Sequence, residues 1–241
     1  LYLKRNIMKQ NNYLLNFLKV TFFSLLLIAT SPVRAEIKVV TTIKPLHSLI
    51  ANVMDGVGEP SLIIEGSTSP HSFTLKPSHA KLLEEADLIF WVGEGIETFM
   101  ERPLESIVKN AEVVEFMEVE SIEKLKFREE SIFGNHDDHD DHDDHDEDHD
   151  DHDDHDEHAE HEGHNHGEFD AHIWLDPSNA KEMVHEIAHE LVDLDPANKD
   201  KYEANAEATI IALDQLIEDV SKDINKDAKF VVFHDAYQYF E

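Results

Sequence analysis

Histidines and carboxylates alternate at near-regular spacing between His136 and His166. This His/Asp tract holds eleven histidines and seventeen acidic residues, with no lysine or arginine. Imidazole nitrogen suits Zn, Cu and Ni, and the interleaved carboxylates add oxygen ligands and attract dications. A solvated acidic linker would explain the aspartates but not the histidines. We therefore predict weak, overlapping metal sites at His136, His139, His142, His145, His149, His152, His155, His158, His161, His164 and His166.

The composition of the tract also predicts its physical state. It has almost no apolar side chains, and its like charges repel one another, so it cannot form a packed core. We expect a disordered His/Asp-rich loop over residues 135–167, inserted into a folded lobe.

The net charge of the chain limits its partners. The formal charge is −33, from 20 basic and 53 acidic residues. Without the seventeen acids of the tract, 36 acidic residues still face the same 20 basic ones, which leaves −16. Phosphate binding needs clustered Lys and Arg, so the chain is not expected to bind nucleic acid. An acidic field of this size attracts cations.

Residues 1–35 have the pattern of a secretory signal peptide. Basic residues precede an apolar run over residues 20–29, and small residues stand at the −3 and −1 positions of a cut after Ala35. A membrane span needs about 20 apolar residues, so a retained anchor is the weaker alternative. The chain has no cysteine, which excludes disulfides, thiolate metal sites and a lipoprotein anchor.

Strand and helix patterns alternate after residue 36. Strands are predicted over residues 37–42, 60–64, 88–92 and 112–116. Helices are predicted over residues 45–54, from an N-cap at Ser78 to residue 85, and from about residue 96 to 109 with a break at Pro103. A further strand over 171–175 and a helix over 176–194 follow the tract. This alternation indicates an α/β lobe with a parallel sheet over residues 36–195.

A long helix is predicted after this lobe. Residues 197–224 carry one apolar stripe at helical spacing, and a helix of this length would measure roughly 40 Å. We interpret residues 196–225 as a connecting helix. A strand over 230–233 and a helix from Tyr237 would begin a second lobe over residues 226–241, which we expect to be largely missing because a doubly wound lobe needs several strands.

Three isolated histidines lie at predicted strand or loop ends. His71 is in the loop after the second strand, His172 opens the predicted 171–175 strand, and His234 ends the 230–233 strand. Ligands of open α/β sheets bind beyond the carboxyl ends of the strands. Three histidines with one open or carboxylate position are a common zinc arrangement. We predict that these three form one high-affinity metal site.

Another histidine pair offers an alternative. His185, Glu186 and His189 match the H-E-x-x-H pattern of zinc proteases. The apolar face of this helix leaves both histidines on the polar side, and no third ligand follows nearby. We interpret them as an exposed pair on a helix. His79 is expected in the first turn of its helix, and His47 beside a cleft without ligating metal.

Several short motifs resemble the ZnuA family, the zinc-binding receptors of bacterial high-affinity zinc uptake transporters. The matching segments follow one another in order and flank the tract. They are residues 42–49, 70–78, 86–88, 91–93, 171–177 and 233–237.

The resemblance implies two α/β lobes joined by a long rigid helix, with metal held in the cleft by residues matching His71, His172 and His234. Some relatives carry a glutamate where this chain has Pro70, and a fourth carboxylate ligand would belong to the second lobe. The implied protein is a monomeric, non-enzymatic periplasmic receptor that captures Zn²⁺ and delivers it to a membrane ABC permease.

The same residues are also compatible with other functions. Manganese receptors resemble this fold but have a carboxylate at the position of His234 and lack the tract. The chain could therefore be a manganese or broad divalent-metal receptor. It could also be a metal buffer without a permease, or a secreted metallopeptidase using the helix that carries His185 and His189.

Overall fold

A computed structural model of the chain describes residues 37–128, 168–225, 227–232 and 234–240. The predicted signal peptide (1–35) and the His/Asp-rich loop (135–167) lie outside the described residues. The part from Ile37 onward forms one compact unit.

Four parallel strands form the sheet at the centre of this unit. They are β1 (Val39–Thr41), β2 (Ser61–Leu62), β3 (Leu88–Trp91) and β4 (Glu112–Glu115), in the order β2-β1-β3-β4. All four residues of β3 are buried, as expected for an apolar run covered on both faces. All strands run in one direction, so the loops that follow them meet at one edge of the sheet. The predicted parallel α/β lobe is confirmed.

The described residues include five α-helices. They are α1 (Lys44–Val53), α2 (Pro77–Glu85), α3 (Glu101–Ser106), α4 (Pro177–Leu194) and α5 (Lys199–Asp223). Helix α4 begins where its sequence predicts. The Asp176 side chain caps the helix by accepting a hydrogen bond from Ser178 N at 2.7 Å, and Pro177 has no backbone N–H that would need a partner. No helix in the described ranges is long and apolar enough to cross a lipid bilayer.

Two predictions about helix starts were wrong. Ser78 does not cap α2, since the helix begins one residue earlier at Pro77, whose fixed φ suits the first helical position. His79 lies in the first turn, as predicted, and its ring Nδ1 accepts the Lys76 N–H at 3.2 Å. Pro103 does not break its helix, because it lies in the first turn of α3, where no intrahelical N–H bond is lost.

Two predicted strands are absent from the described residues. The segment 171–175 holds a 3₁₀ helix, Ile173–Leu175, instead. Residues 230–232 belong to no strand, and Val231 is 99% exposed. A strand requires a hydrogen-bonded neighbour, and the described part of the chain offers none to either segment. The helix predicted from Tyr237 is a single turn, in which Phe240 N donates to the Tyr237 carbonyl.

Helix α5 packs most tightly on the lobe in its first half. Tyr202, Ala206 and Thr209 are buried, and the Tyr202 hydroxyl donates to Asp195 Oδ2 at 3.1 Å. In the second half, the stripe residues Leu213, Ile217 and Val220 are half-buried, whereas Ile211 and Leu216 lie off the stripe and are exposed. The predicted stripe is therefore confirmed as the packed face, with full burial only near the start of this helix, which measures about 37 Å.

A buried carboxyl joins the carboxyl ends of the two central strands. Glu97 is fully buried, and it accepts hydrogen bonds from the Thr42 hydroxyl after β1 and from Val92 N and Gly93 N after β3. Burial raises the pKa of Glu97 from 4.5 to about 7, although these hydrogen bonds oppose the shift.

We expect Glu97→Gln to remove a pH-dependent loss of stability. The folded-state pKa lies above the unfolded value, so the unfolded state binds fewer protons between pH 4.5 and about 7, and stability falls as pH rises through this window. Wild type should lose up to about 3 kcal/mol relative to Glu97→Gln across it. Urea unfolding at several pH values measures the difference. Glu105→Gln, at an exposed position of α3, is the control and should track wild type.

Candidate metal site

Three histidines from distant parts of the chain meet beyond the carboxyl ends of the strands. His71 lies in the 3₁₀ turn Pro70–Ser72 after β2, His172 precedes the turn Ile173–Leu175, and His234 lies in the segment after α5. The three ring centroids are 5.4–5.9 Å apart. Each ring offers a nitrogen, and these nitrogens all lie within 4.8 Å of one another. The structure therefore brings together the three residues selected from the sequence.

The spacing of the nitrogens suits a small tetrahedral cation. Zinc–nitrogen bonds of about 2.0–2.1 Å place tetrahedral ligand atoms roughly 3.3 Å apart. The His172 and His234 Nε2 atoms are already 3.5 Å apart. His71 and His234 are exposed and His172 is partly buried, so the side chains have room to close the remaining distance.

A buried carboxylate fixes the orientation of His172. The ring Nδ1–H of His172 donates to Asp170 Oδ1 at 2.7 Å, and the same oxygen accepts the His172 backbone N–H at 3.0 Å. Asp170 is only 1% exposed. Because Nδ1 carries the proton, Nε2 is left with its lone pair directed toward His234. This is the carboxylate–histidine–metal arrangement that orients ligands in metal sites.

Sequence reasoning missed Asp170, although the D-x-H spacing in front of an apolar run was a usable signal. We expect Asp170→Asn to weaken zinc binding about 10–100-fold, because an amide keeps an acceptor but loses the charge that selects the tautomer and raises imidazole basicity. Competition with a chromophoric zinc chelator measures the change. Asp176→Asn, at the N-cap of α4, should leave zinc affinity unchanged, and equal losses in both variants would contradict the assigned role.

Contacts with the rest of the lobe hold the segment that carries His234. The Tyr239 hydroxyl accepts from Leu125 N at 2.9 Å and donates to the Asp170 carbonyl at 2.6 Å. Asp235 is 3.5 Å from the Arg128 guanidinium. These contacts position His234, although residues 230–232, predicted as part of a strand, form none.

A cavity of about 640 Å³ is lined by Ala171, the residue before His172. Its charged lining consists of four acidic residues and one basic residue: Glu94, Glu115, Glu118, Glu168 and Lys124. Burial raises the pKa of Glu115 to about 7, and the charges of Glu118 and Glu94 add to the shift. The other three carboxylates outnumber Lys124, so the cavity has a net negative charge that attracts cations.

Residues 39–241 match the ZnuA family, described as zinc-uptake complex component A, periplasmic. The chain belongs to the ZnuA family. The proteins of this family are substrate-binding receptors. At the level of the family, this agrees with the prediction of a protein that is not an enzyme.

Relatives within the ZnuA family cover most of this chain. The high-affinity zinc uptake system protein ZnuA of Brucella abortus (strain 2308) is 48% identical over 211 residues, which is 84% of this chain and 63% of the relative. The protein of the same name from Yersinia pestis is 34% identical over 228 residues, covering 90% and 66%. The chain thus spans less than two thirds of these relatives.

A solved structure shows the same fold. The Zn(II)-bound ZnuA-like domain of Streptococcus pneumoniae AdcA matches with a TM-score of 0.61 at 22% identity, over 86% of this chain and 63% of that one. The predicted fold class, the α/β metal-receptor fold with a parallel sheet and a long helix, is confirmed.

The other histidines of this ZnuA family member lie elsewhere. His47 Nε2 lies 3.1 Å from the Pro60 carbonyl, and His79 stacks on Phe73 while bonding to the start of α2. His185 and His189 are exposed on α4, as predicted. The eleven histidines of the His/Asp tract lie outside the described residues.

Proposed function

We propose that this chain is the zinc-capturing part of a periplasmic receptor. His71, His172 and His234 bind Zn²⁺ as cargo, which the receptor then delivers to a membrane ABC permease. The observation that carries the proposal is the convergence of three imidazoles, with two Nε2 atoms 3.5 Å apart and one of them oriented by Asp170. The names of the relatives support the same function.

The donor set favours zinc over manganese. The three clustered ligands are all nitrogen, whereas manganese prefers carboxylate and water oxygen. Asp170 bonds to the His172 ring and does not face the cluster centre as a free ligand. In this proposal the His/Asp tract collects additional zinc at weak sites close to the lobe.

The remaining parts of the proposal follow from the sequence. Residues 1–35 direct export to the periplasm and are removed after Ala35. Residues 36–195 form the N-terminal α/β lobe with the His/Asp-rich loop, 196–225 the connecting helix and 226–241 the first part of a second lobe, which supplies His234. The receptor acts as a monomer and carries out no reaction.

Equilibrium competition tests the proposal. The full chain is titrated with Zn²⁺ and Mn²⁺ against a chelator of known affinity, and zinc should bind far more tightly. Tighter binding of manganese would support the broad divalent-metal receptor instead. Peptide cleavage by the pure protein, lost in Glu186→Gln, would overturn the receptor in favour of a metallopeptidase. Zinc uptake into vesicles that contain the permease should require the receptor.

A further inference from the structure

A second group of metal-ligating atoms lies on α4, away from the three-histidine site. Glu186, His189 and Glu190 each offer one ligand atom, and these atoms lie within 4.8 Å of one another. Their spacing along the helix places all three on one face. His189 is 12 residues beyond the start of α4, which corresponds to roughly 18 Å along the helix axis. The two groups therefore cannot share one ion.

The carboxylates of this group outnumber its one basic side chain, His189, whose pKa is raised by its hydrogen bond to Glu190 and by the charges of Asp193, Glu190 and Glu186. The Glu190 side chain is only 13% exposed, and its nearest ionisable contact is His189 Nδ1 at 3.2 Å. Burial raises the pKa of Glu190, and the charges of Glu112 on β4 and of Glu186 raise it further. Among the described residues, no Lys or Arg nitrogen forms an ion pair with Glu186 or Glu190, whose one ion-pair contact is His189. A bound dication would displace the proton of His189 and balance the charge of the two carboxylates.

We propose that Glu186, His189 and Glu190 form a second site for a first-row divalent cation. One imidazole nitrogen and two carboxylate oxygens supply three ligands, and water completes the coordination. This mixed donor set accepts Zn²⁺ and tolerates other first-row dications. The site is open to solvent and has fewer nitrogen ligands, so it binds more weakly than the three-histidine site. His185 takes no part in it, because its side chain lies outside the cluster.

Anomalous X-ray scattering at the zinc absorption edge tests this site. Crystals of the full chain are soaked with zinc, and an anomalous peak is expected about 2.0–2.2 Å from a ligand atom of each of the three residues. The peak should disappear in His189→Ala and drop strongly in Glu186→Gln. His185→Ala, an exposed substitution one turn earlier on the same helix, is the matched control and should retain the peak.

Three outcomes would overturn the second site. They are a map with no peak at His189, a peak that survives His189→Ala, and peaks of equal height at unrelated exposed carboxylates. The same map separates this inference from the proposed function. A peak among His71, His172 and His234 without one at His189 rejects only the second site, whereas the reverse pattern rejects the proposed function and leaves the second site standing.

Discussion

Replacing His172 with alanine is expected to weaken zinc binding by more than 100-fold. Loss of an outer carboxylate that merely orients a ligand typically costs 10–100-fold in metal affinity, so loss of the ligand itself should cost more. The Asp170 carboxylate also fixes the orientation of the His172 ring. Competition against a high-affinity fluorescent chelator at substoichiometric zinc reports the tightest site and measures the effect.

His71→Ala and His234→Ala should show losses of similar size, because each removes one of three nitrogen ligands. His47→Ala is the matched control, since its ring contacts the Pro60 carbonyl rather than the cluster. Circular dichroism verifies that each variant folds. Tight zinc binding that persists in all three ligand variants would refute the assignment.

Deletion of residues 135–167 is expected to abolish most of the zinc-binding capacity of the chain while keeping its tightest site. The deleted segment holds eleven of the 18 histidines, but the three clustered histidines lie outside it. Isothermal titration should show several weak sites in the full chain and their loss after the deletion. The weak sites should also fade as pH falls through about 6.5, because a protonated imidazole cannot bind metal.

A second variant separates the roles of imidazole and charge. Replacing the eleven tract histidines with asparagine keeps all seventeen acids, and it should abolish the weak zinc sites almost as fully as the deletion. Unchanged weak binding in that variant would mean that the carboxylates alone collect the metal. Loss of the tight site on deletion would contradict the independence of the two kinds of site.

Local patterns in the sequence were sufficient to predict the sheet and the long helices. The run at residues 88–92 is apolar throughout and became the fully buried β3. Helix α4 begins at Asp176 and Pro177 because the Asp176 side chain caps it and the proline has no backbone N–H that would need a partner. Such features depend on neighbours in the sequence, so they can be recognised without the fold.

Predictions failed where a segment depends on distant partners. The apolar segments 171–175 and 230–233 were both assigned as strands. The first became a 3₁₀ helix with Ile173 buried against the lobe, and residues 230–232 of the second joined no strand. Apolar character favours burial, but only a neighbouring strand edge turns an apolar run into part of a sheet.

The sequence by itself determined which side chains are able to bind metal and which strands lie at the centre of the lobe. His71, His172 and His234 were selected from their residue type, their predicted positions and the motifs around them. Only the tertiary structure decided that their nitrogens meet. The ends of parallel strands and the anchored segment after α5 bring together His71 and His234, which are 163 positions apart in the sequence. The tautomer set by Asp170, the raised pKa of Glu97 and the carboxylates around His189 likewise depend on burial and on through-space charge, which a local sequence pattern does not contain.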